Sequence, residues 1–456
     1  MASAREQAQA HLMPHYTKGA AWNRDDLPII SSGQGCYVED TEGNRYLDGL
    51  AGLFCTNIGH GRADLASVAM KQMEKLAFFP NWGFASPPTI EAATMIAEFA
   101  PGDLSEVFFV NSGSEAVESA VKFARNYHVA RGEETRYKVI ARDWAYHGTT
   151  LGSLSVTGIP KFREQFKPLL WDGVRHVPHT HDPSIPADTP VAELPCVTQL
   201  EQMIIDEGPE SVALVIAEPV QNGRGAVVPP DGYWQELRRI CDTYGILLCA
   251  DEVISAFGRL GHWFASERFG AEPDMITFAK GVTSAYQPLG GVVISRRLVE
   301  ETWNTELGMY NHGSTFGGHP VACAVAVANM RALRDEKILE NVTEHEAYFQ
   351  AGLDALQQRF DVIGEWRGCG YFYALELVES RERGVELNDE DRAALQGGVL
   401  NGFVQESKLL IRPDDRGATM LVLSPPLIAD RPVIDDIMER MSQILEATEG
   451  WLHGSR

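Results

Sequence analysis

Short apolar runs alternate with amphipathic segments through the middle of the chain. The runs have the length and β-branched content of buried strands, and the segments between them carry apolar residues at helical spacing. Apolar strands that alternate with helices are typical of a mostly parallel sheet covered on both faces. The predicted strands cover residues 107–110, 139–141, 212–217, 246–250, 276–279 and 291–294, with helices at 114–131 and 232–243.

The pattern differs before and after this region. Residues 36–48 predict a hairpin, because strand-forming residues flank a Gly43-Asn44 turn, and amphipathic helices follow near 63–77 and 89–100. Residues 1–34 show no periodicity and predict an irregular arm that packs on another part of the protein. The C-terminal part predicts an α+β arrangement. Its helices are expected at 319–333, 340–360, 389–406 and 433–448, and its strands at 362–367, 372–377, 409–412 and 420–423.

A chain of 456 residues exceeds what a single hydrophobic core usually supports. We therefore expect two domains, one large and one smaller. Residues 1–60 are predicted to form the N-terminal arm and part of the small domain, residues 61–330 the large domain, and residues 331–456 the C-terminal small domain.

Composition and charge restrict the class of protein. The formal net charge of −24 argues against nucleic acid or an anionic membrane as a partner, since both require a basic face. The chain has no apolar run long enough for a membrane span and no signal-peptide features, so we expect a cytoplasmic location. The seven cysteines include no CxxC pair, which favours reduced thiols that fill the core.

Polar side chains follow several of the predicted strands directly. Asn111, Glu218, Asp251 and Lys280 all stand where an apolar run ends. Parallel sheets bind ligands at the carboxyl ends of their strands, so these residues predict one shared site. Lys280 stands out, because an ammonium group at the end of a core strand is costly to desolvate. Its side chain either extends to water or has its charge altered by chemistry.

Asp251 has two interpretations. It forms a local ion pair or helix cap, or it holds a cationic ring nitrogen. At an effective dielectric constant near 20, two charges about 4 Å apart gain roughly 4 kcal/mol, or about three pKa units. That gain is enough to keep a pyridine nitrogen protonated.

Two further segments offer a phosphate site and a ring contact. Ser112-Gly113-Ser114 lies between a strand and a helix, so it is either an ordinary N-cap or a phosphate site built from unpaired N–H groups. Tyr146 stacks on a planar ring or packs between sheet and helix.

Near the C-terminus, Arg412 receives a carboxylate or stays solvated. The histidine-rich segment 176–182 fits no zinc spacing, and we expect no metal. No Walker-type loop or GxGxxG after a strand is present in the sequence.

Taken together, the motifs resemble those of class III pyridoxal-phosphate aminotransferases, over residues 35–445. Each motif is weak alone, and the combination in this order is specific. The motifs are Asn111-Ser112-Gly113-Ser114-Glu115-Ala116, Tyr146-His147-Gly148, Ala217-Glu218-Pro219-Val220, Asp251-Glu252-Val253, Ala279-Lys280-Gly281 and His312-Gly313-Ser314-Thr315-Phe316-Gly317-Gly318-His319-Pro320.

The resemblance implies a fold and a set of roles. The fold would be fold type I, with a mostly parallel seven-stranded sheet and a smaller α+β domain. The assembly would be a homodimer with shared active sites, or a tetramer. Lys280 would be the catalytic Schiff-base lysine. The residues expected to hold pyridoxal 5'-phosphate are Ser112, Gly113, Ser114, Tyr146, His147, Glu218, Asp251, Val253 and Lys280, with Thr315 reaching in from the other subunit.

The resemblance is strongest to the amine:pyruvate ω-aminotransferases. Ile254 follows Asp-Glu-Val where ornithine enzymes carry glutamine, and Val422 stands where ornithine and GABA enzymes carry an arginine. Arg412 matches the mobile arginine of the amine:pyruvate group, but Ser255-Ala256 replaces the usual Cys-Gly. The substrate pocket is expected to contain Phe54, Trp82, Tyr146 and Arg412.

The expected reaction moves an amino group from an ω-amino acid, diamine or primary amine to pyruvate or another 2-oxo acid. The products would be an aldehyde or ketone and alanine. An aminomutase or a decarboxylating transaminase is the alternative. A non-enzymatic protein that binds the cofactor is disfavoured, because the chain has no DNA-binding segment or basic face.

Overall fold

The strands of the computed structural model, which describes residues 2–186 and 188–454, form three sheets. In chain order the strands are β1 (Ile30–Gln34), β2 (Tyr37–Asp40), β3 (Arg45–Asp48), β4 (Leu104–Val110), β5 (Lys138–Arg142), β6 (Val174–Val177), β7 (Val212–Ala217), β8 (Leu247–Asp251), β9 (Met275–Phe278), β10 (Gly290–Ser295), β11 (Ile363–Cys369), β12 (Phe372–Leu377), β13 (Leu409–Leu410), β14 (Arg412–Asp414) and β15 (Met420–Leu423).

Helices cover the sheets and connect them. In chain order they are α1 (Ala4–His11), α2 (Gly19–Trp22), α3 (Ala51–Phe54), α4 (Ala63–Lys75), α5 (Pro87–Phe99), α6 (Gly113–Ala130), α7 (Leu151–Val156), α8 (Pro160–Arg163), α9 (Pro195–Glu207), α10 (Tyr233–Tyr244), α11 (Ala265–Phe269), α12 (Arg296–Trp303), α13 (Pro320–Asp335), α14 (Ile338–Arg359), α15 (Asp389–Ala394), α16 (Leu400–Ser407) and α17 (Arg431–Gly454). Single 3-10 turns lie at Glu164–Leu169, Val191–Glu193, Pro209–Ser211 and Lys280–Val282.

The central sheet has seven strands in the order β4-β10-β9-β8-β7-β5-β6. Strand β10 is antiparallel to both of its neighbours, and the pairs from β9 to β6 are parallel. The prediction of a mostly parallel seven-stranded sheet is therefore confirmed. Because β4 and β9 are both antiparallel to β10, β4 runs in the same direction as β9. The carboxyl ends of all strands except β10 thus lie at one edge.

Both faces of this sheet are buried. Along β8, Leu247 and Cys249 belong to one hydrophobic cluster, and Leu248 and Ala250 belong to another. Successive side chains of a strand point to opposite faces, so an uninterrupted apolar run is what a doubly covered strand requires. Each such buried side chain contributes about 1.5–3 kcal/mol of hydrophobic free energy.

Two four-stranded sheets complete the fold. One has the order β1-β2-β3-β13 and the other β11-β12-β15-β14. The prediction of a single strand at 409–412 was wrong. The chain leaves one sheet after Leu410, where β13 pairs with β3 in parallel, and enters the other at Arg412, where β14 pairs with β15. One apolar run is therefore divided into two short strands, which pair with strands of different sheets.

Other differences from the sequence predictions have local causes. The arm is not irregular, because it contains α1, α2 and β1, and Ser3 caps α1 through a capping box. The helix predicted at 389–406 is interrupted by a π-helical turn at Leu395–Val399, where Gly398 has a φ of +150°. Strand β6 and helix α9 were missed; they lie at either end of residues 176–195, which are rich in proline and histidine.

The core is continuous across the predicted domain limits. One hydrophobic cluster contains Leu47, Ile276, Leu333 and Leu423, and helix α13 runs across residue 330. The division at residues 60 and 330 stays a prediction. Within the part of the chain that the structure describes, no helix is long and apolar enough to cross a membrane.

Candidate active site

The polar residues at the strand ends meet as their positions predicted. Glu218 follows β7, Asp251 is the last residue of β8, and Lys280 lies two residues after β9. All three border one cavity of 140 Å³. Asn111 follows β4 but does not line this cavity, and its amide donates to Ser314 Oγ at 2.7 Å.

The cavity wall contains all of the predicted cofactor residues except Thr315. It is lined by Ser112, Gly113, Ser114, Tyr146, His147, Gly148, Glu218, Val220, Asp251, Val253, Ile254, Ser255 and Lys280. These residues come from the ends of five strands, β4, β5, β7, β8 and β9, and from the loops and the helix that follow them. The parallel sheet thus brings motifs that are far apart in the sequence to one cavity.

Lys280 starts a 3-10 turn with a φ of +47°, in the left-handed region that residues other than glycine rarely adopt. Such a conformation costs of order 1 kcal/mol and is maintained by the surrounding fold. The Nζ atom lies 5.6 Å from the centroid of the Phe54 ring. Burial lowers the pKa of Lys280, and the charge of Arg412 lowers this pKa further, against the opposing effects of Cys55 and Asp251. The amine therefore loses its proton more readily than an exposed lysine.

Asp251 is 5% exposed and accepts hydrogen bonds at both carboxylate oxygens. Thr277 Oγ1 and the Val253 N–H donate to Oδ1 at 2.9 and 3.2 Å, and His147 Nδ1 lies 2.6 Å from Oδ2. Among the described residues, no lysine or arginine pairs with Asp251, so the interpretation as an ion pair with a local arginine is not supported, and His147 is the side chain that could carry an opposing charge. The other ring nitrogen of His147, Nε2, is buried and has no hydrogen-bond partner among the described residues.

The Ser112-Gly113-Ser114 turn begins helix α6. Ser112 Oγ accepts a hydrogen bond from the Glu115 N–H at 3.2 Å, so the N-cap interpretation holds for this side chain. A Cβ atom on Gly113 would lie 2.7 Å from Val253 Cγ1, which explains why glycine is required there. Ser114 Oγ accepts from the Thr149 N–H at 3.1 Å. The turn still presents the start of an 18-residue helix to the cavity.

Glu218 and Tyr146 are joined through the backbone. The carboxylate of Glu218 accepts from the Tyr146 N–H and from the Asn222 N–H, each at 3.0 Å. Burial raises the pKa of Glu218 above its usual value. The Tyr146 ring packs edge-on against Phe162 at 6.1 Å and also lines the cavity, so both interpretations of this tyrosine keep support.

Phe54 connects the cavity to Arg412. The Phe54 side chain is 2% exposed, and the Arg412 guanidinium carbon lies 5.0 Å from its ring centroid. Arg412 is not freely solvated, because its side chain is only 22% exposed, forms an ion pair with Asp414 Oδ2 at 2.8 Å and donates to Asn222 Oδ1 at 3.0 Å. Burial lowers the pKa of Arg412 to about 10.

Three residues in this region were missed by sequence reasoning. Asp414, Arg416 and Asn222 form a buried polar cluster with Arg412. The segment Asp414-Asp415-Arg416-Gly417 has the composition of an exposed turn between strands. The one signal in the sequence that could have identified Asp414 and Arg416 was the high density of charged residues in this turn, next to Arg412.

Trp82 and Thr315 lie outside the cavity. Trp82 is 66% exposed, and a Cβ atom on Gly313 would lie 3.2 Å from its ring, so the indole packs on the segment that leads to Thr315. Thr315 is itself exposed. The single chain therefore does not bring these two predicted site residues to Lys280.

The histidine-rich segment has an ordinary structural explanation. Burial lowers the pKa of both His176 and His179 to about 4, and His176 Nε2 lies 2.9 Å from the backbone oxygen of Val156. Residues 2–186 and 188–454 contain no group of three or more histidine, cysteine or acidic side chains that could hold a metal ion.

The residues around the cavity fit pyridoxal 5'-phosphate. Asp251 is a buried carboxylate that no lysine or arginine among the described residues contacts, and a protonated pyridine nitrogen would supply a cation there. The start of α6 offers N–H groups for a phosphate without steric obstruction at Gly113. The Lys280 amine, with its lowered pKa, borders the same cavity.

Comparisons with known proteins agree with this arrangement. The family model of class-III aminotransferases matches residues 19–445. A protein of Mycobacterium tuberculosis described as a probable aminotransferase is 43% identical, over 92% of this chain and 90% of its own length. The putrescine–pyruvate aminotransferase of Pseudomonas aeruginosa is 38% identical, over 96% of this chain and 94% of its own length.

A solved structure extends the similarity to the fold. The ω-transaminase of Pseudomonas jessenii, in complex with PMP, superposes with a TM-score of 0.92 at 32% identity, covering 100% of both chains. The family match spans nearly the whole chain, and the residues that line the cavity fit the cofactor. The chain belongs to the class-III aminotransferases and is an aminotransferase that depends on pyridoxal 5'-phosphate.

Proposed function

We propose that this enzyme transfers an amino group from a primary amine, diamine or ω-amino acid to pyruvate, forming alanine. One observation carries the proposal. Lys280 and Arg412 contact the same Phe54 ring, at 5.6 and 5.0 Å from its centroid. A carboxylate bound by Arg412 would therefore share the Phe54 wall with the reacting amine. The putrescine–pyruvate aminotransferase relative supports pyruvate as the acceptor.

The proposed cofactor residues divide by the part of the cofactor that they hold. Lys280 would carry the cofactor covalently, Asp251 would pair with its ring nitrogen, and His147 would orient Asp251. Tyr146 and Val253 would contact the ring, and Glu218 would fix the Tyr146 backbone. The phosphate would bind at Ser112, Gly113 and Ser114, together with Thr315 of a second copy. The bound cofactor supplies an electron sink for the carbon that carries the amine.

The chain's own groups would then control binding and proton movement. Lys280 Nζ would take the proton from the donor carbon and return it at the cofactor carbon. The lowered pKa of Lys280 keeps more of the amine in the form that accepts a proton. Asp251 would hold the positive charge of the ring nitrogen in place, which favours removal of the proton at the neighbouring carbon.

The substrate would lie between apolar and charged walls. Phe54 would contact the body of the amine, and Arg412 would receive the carboxylate of pyruvate or alanine in bidentate fashion. Trp82 would join the pocket from a second copy of the chain. An aromatic wall of this kind suits an amine with an apolar body as well as a short ω-amino acid.

A homodimer with shared sites is part of the proposal. The region around Trp82 exposes several large apolar side chains that a second copy would cover. They are Phe79 (47% exposed), Trp82 (66%), Phe84 (62%) and Phe316 (55%). A tetramer built from such dimers and a cytoplasmic location remain predictions from the sequence.

Mixing two inactive variants tests the shared site. Lys280→Ala disables one subunit's lysine, and Thr315→Glu would repel the phosphate at the other subunit's site. A hybrid dimer contains one site with both defects and one site with none, so mixing after unfolding and refolding should restore up to about half of the activity per hybrid. No recovery, with hybrids verified by native mass spectrometry, would contradict the shared site.

The substrate proposal is tested by assaying putrescine, β-alanine, taurine and 1-phenylethylamine against pyruvate. Alanine formation with at least one donor, in a one-to-one ratio with the aldehyde or ketone, is expected. Release of carbon dioxide would favour a decarboxylating transaminase, and isomerisation of a single substrate without pyruvate would favour an aminomutase. Cofactor binding without any turnover would favour a non-enzymatic protein.

A further inference from the structure

The loop between β14 and β15 carries a buried charge cluster that the proposed reaction does not use. Asp414 and Arg416 are each 6% exposed. Arg416 Nε donates to both carboxylate oxygens of Asp414, at 2.8 and 2.9 Å, and a terminal nitrogen of Arg416 also contacts Oδ2. The Arg416 backbone N–H donates to Oδ1 at 3.0 Å. Asp414 is thus held firmly by one residue.

The same carboxylate also holds Arg412. A terminal nitrogen of Arg412 forms an ion pair with Asp414 Oδ2 at 2.8 Å, so one oxygen atom faces two guanidinium groups. Arg412 Nε is buried and has no hydrogen-bond partner among the described residues. Arg412 is therefore the less well satisfied of the two arginines and the one that exchanges partners more easily.

Arg412 has a counter-charge that it must share. Two guanidinium groups face the one carboxylate of Asp414, and the remaining contact of Arg412 is the neutral Asn222 amide. The charge of Glu218 acts on Arg416, and within the described residues no ion pair joins Glu218 to Arg412. A substrate carboxylate can therefore offer Arg412 a partner that it does not share with Arg416.

We propose that Asp414, clamped by Arg416, is a resident carboxylate that competes with the substrate carboxylate for Arg412. A substrate with a carboxylate must displace Asp414 from Arg412, whereas an amine without a carboxylate leaves that ion pair intact. The Asp414–Arg416 pair therefore sets the balance between the two substrate classes that one pocket has to accept in turn. Asp414 and Arg416 act through Arg412 and are positioning residues.

Binding of a carboxylate that cannot react tests the proposal directly. The probe is 3-phenylpropionate, which has neither an amine nor a carbonyl group, titrated into the holoenzyme by calorimetry. Asp414→Asn keeps the shape but removes the competing charge, so the dissociation constant is expected to fall roughly three- to tenfold. Asp415→Asn is the matched control. It removes a carboxylate from the same loop that pairs with Lys161 instead, and the dissociation constant should not change.

A purely structural role predicts a different result. If Asp414 only supports the loop, its removal should loosen the arginines and weaken 3-phenylpropionate binding, or leave it unchanged. Either outcome overturns the proposal. Thermal unfolding and the visible absorbance of the bound cofactor establish that each variant is folded and loaded.

A second variant keeps the test decisive if Asp414→Asn fails to fold. Arg416→Lys preserves the positive charge but offers no planar fork for both oxygens of Asp414. Asp414 would then turn more fully towards Arg412, and the dissociation constant for 3-phenylpropionate should rise about threefold or more. An unchanged value would contradict the competition.

The inference rests on the proposed function at one point, the binding of carboxylates by Arg412. The two fail in different ways. If no donor forms alanine with pyruvate, the proposed function fails. If alanine forms normally but Asp414→Asn does not tighten 3-phenylpropionate binding, only the inference fails.

Discussion

Two buried aspartates border the active site, and their surroundings differ. Asp251 receives hydrogen bonds from Thr277, Val253 and His147, and no arginine or lysine within the described residues pairs with it. Asp414 is bound by two guanidinium groups. Burial raises the pKa of Asp414, but its hydrogen bonds and ion pairs outweigh this effect and lower the pKa to about 2.

The difference assigns the two carboxylates to different partners. Hydrogen bonds position the Asp251 carboxylate, and no lysine or arginine among the described residues offsets its charge, so it suits a cationic ligand. The charge of Asp414 is already used inside the protein, so Asp414 suits the control of a neighbouring arginine. In the proposed function, similar buried side chains would thus serve the cofactor and the substrate separately.

The largest expected effect is on the cofactor side. Lys280→Ala should lower kcat by at least about 10⁴-fold, because it removes both the covalent attachment and the proton carrier. Alanine formation and the visible absorbance of the cofactor measure this effect. Lys167→Ala, which alters an exposed lysine, is the control. Substantial activity in Lys280→Ala would contradict the assignment of covalent attachment and proton transfer to Lys280.

The next effect isolates the charge of Asp251. Asp251→Asn keeps an oxygen for Thr277 and Val253 but removes the negative charge. The loss of roughly 4 kcal/mol of attraction to a ring cation corresponds to about a 10³-fold decrease in kcat/KM for the amine. Single-turnover kinetics with 1-phenylethylamine measures the decrease. A decrease of less than about tenfold would mean that Asp251 only supports the local structure. That is also the role that Asp414 would have if it only supported its loop.

A smaller and selective effect is expected on the substrate side. Arg412→Met should raise KM for pyruvate about 10- to 100-fold, because hydrogen bonds to charged groups contribute about 1.5–3 kcal/mol. For 1-phenylethylamine, which has no carboxylate, KM should change much less. Steady-state kinetics with both substrates varied separates the two constants. Equal losses for both substrates would contradict a carboxylate-specific role.

The smallest effect connects the two sides through charge. The positive charge of Arg412 lowers the pKa of Lys280, so its removal should raise that pKa. A base must be unprotonated to act, and the acid limb of the kcat profile should therefore move to higher pH in Arg412→Met. Arg412→Lys keeps the charge and should leave the limb near its wild-type position. A shift to lower pH in Arg412→Met would contradict this coupling.

Much of the proposed cofactor site could be predicted from sequence, because each of its residues follows a strand of one sheet and is marked by a local pattern. An apolar run ending in Asp251 and another ending in Lys280 place both residues at the same edge once the strands are parallel. The N-cap at Ser112 follows from local hydrogen bonding in the same way.

The substrate side escaped prediction because it depends on contacts between distant segments. Arg412 reaches Asn222 across 190 positions of the chain, and it does so because the apolar run at 409–412 divides between two sheets. Asp414 and Arg416 have the composition of an exposed turn, yet both are buried, and Arg416 contacts the distant residues Asn222 and Tyr146.

By itself, the sequence determined the parallel sheet, the strand-end residues and the family, since hydrophobic periodicity and local motifs act over a few residues. The tertiary structure alone decided which charges meet. Arg412 shares the Phe54 ring with Lys280 and shares Asp414 with Arg416, whereas Trp82 and Thr315 lie away from the cavity of their own chain. The physical reason is that ion pairing and burial depend on distance in space, which the order of residues along the chain does not specify.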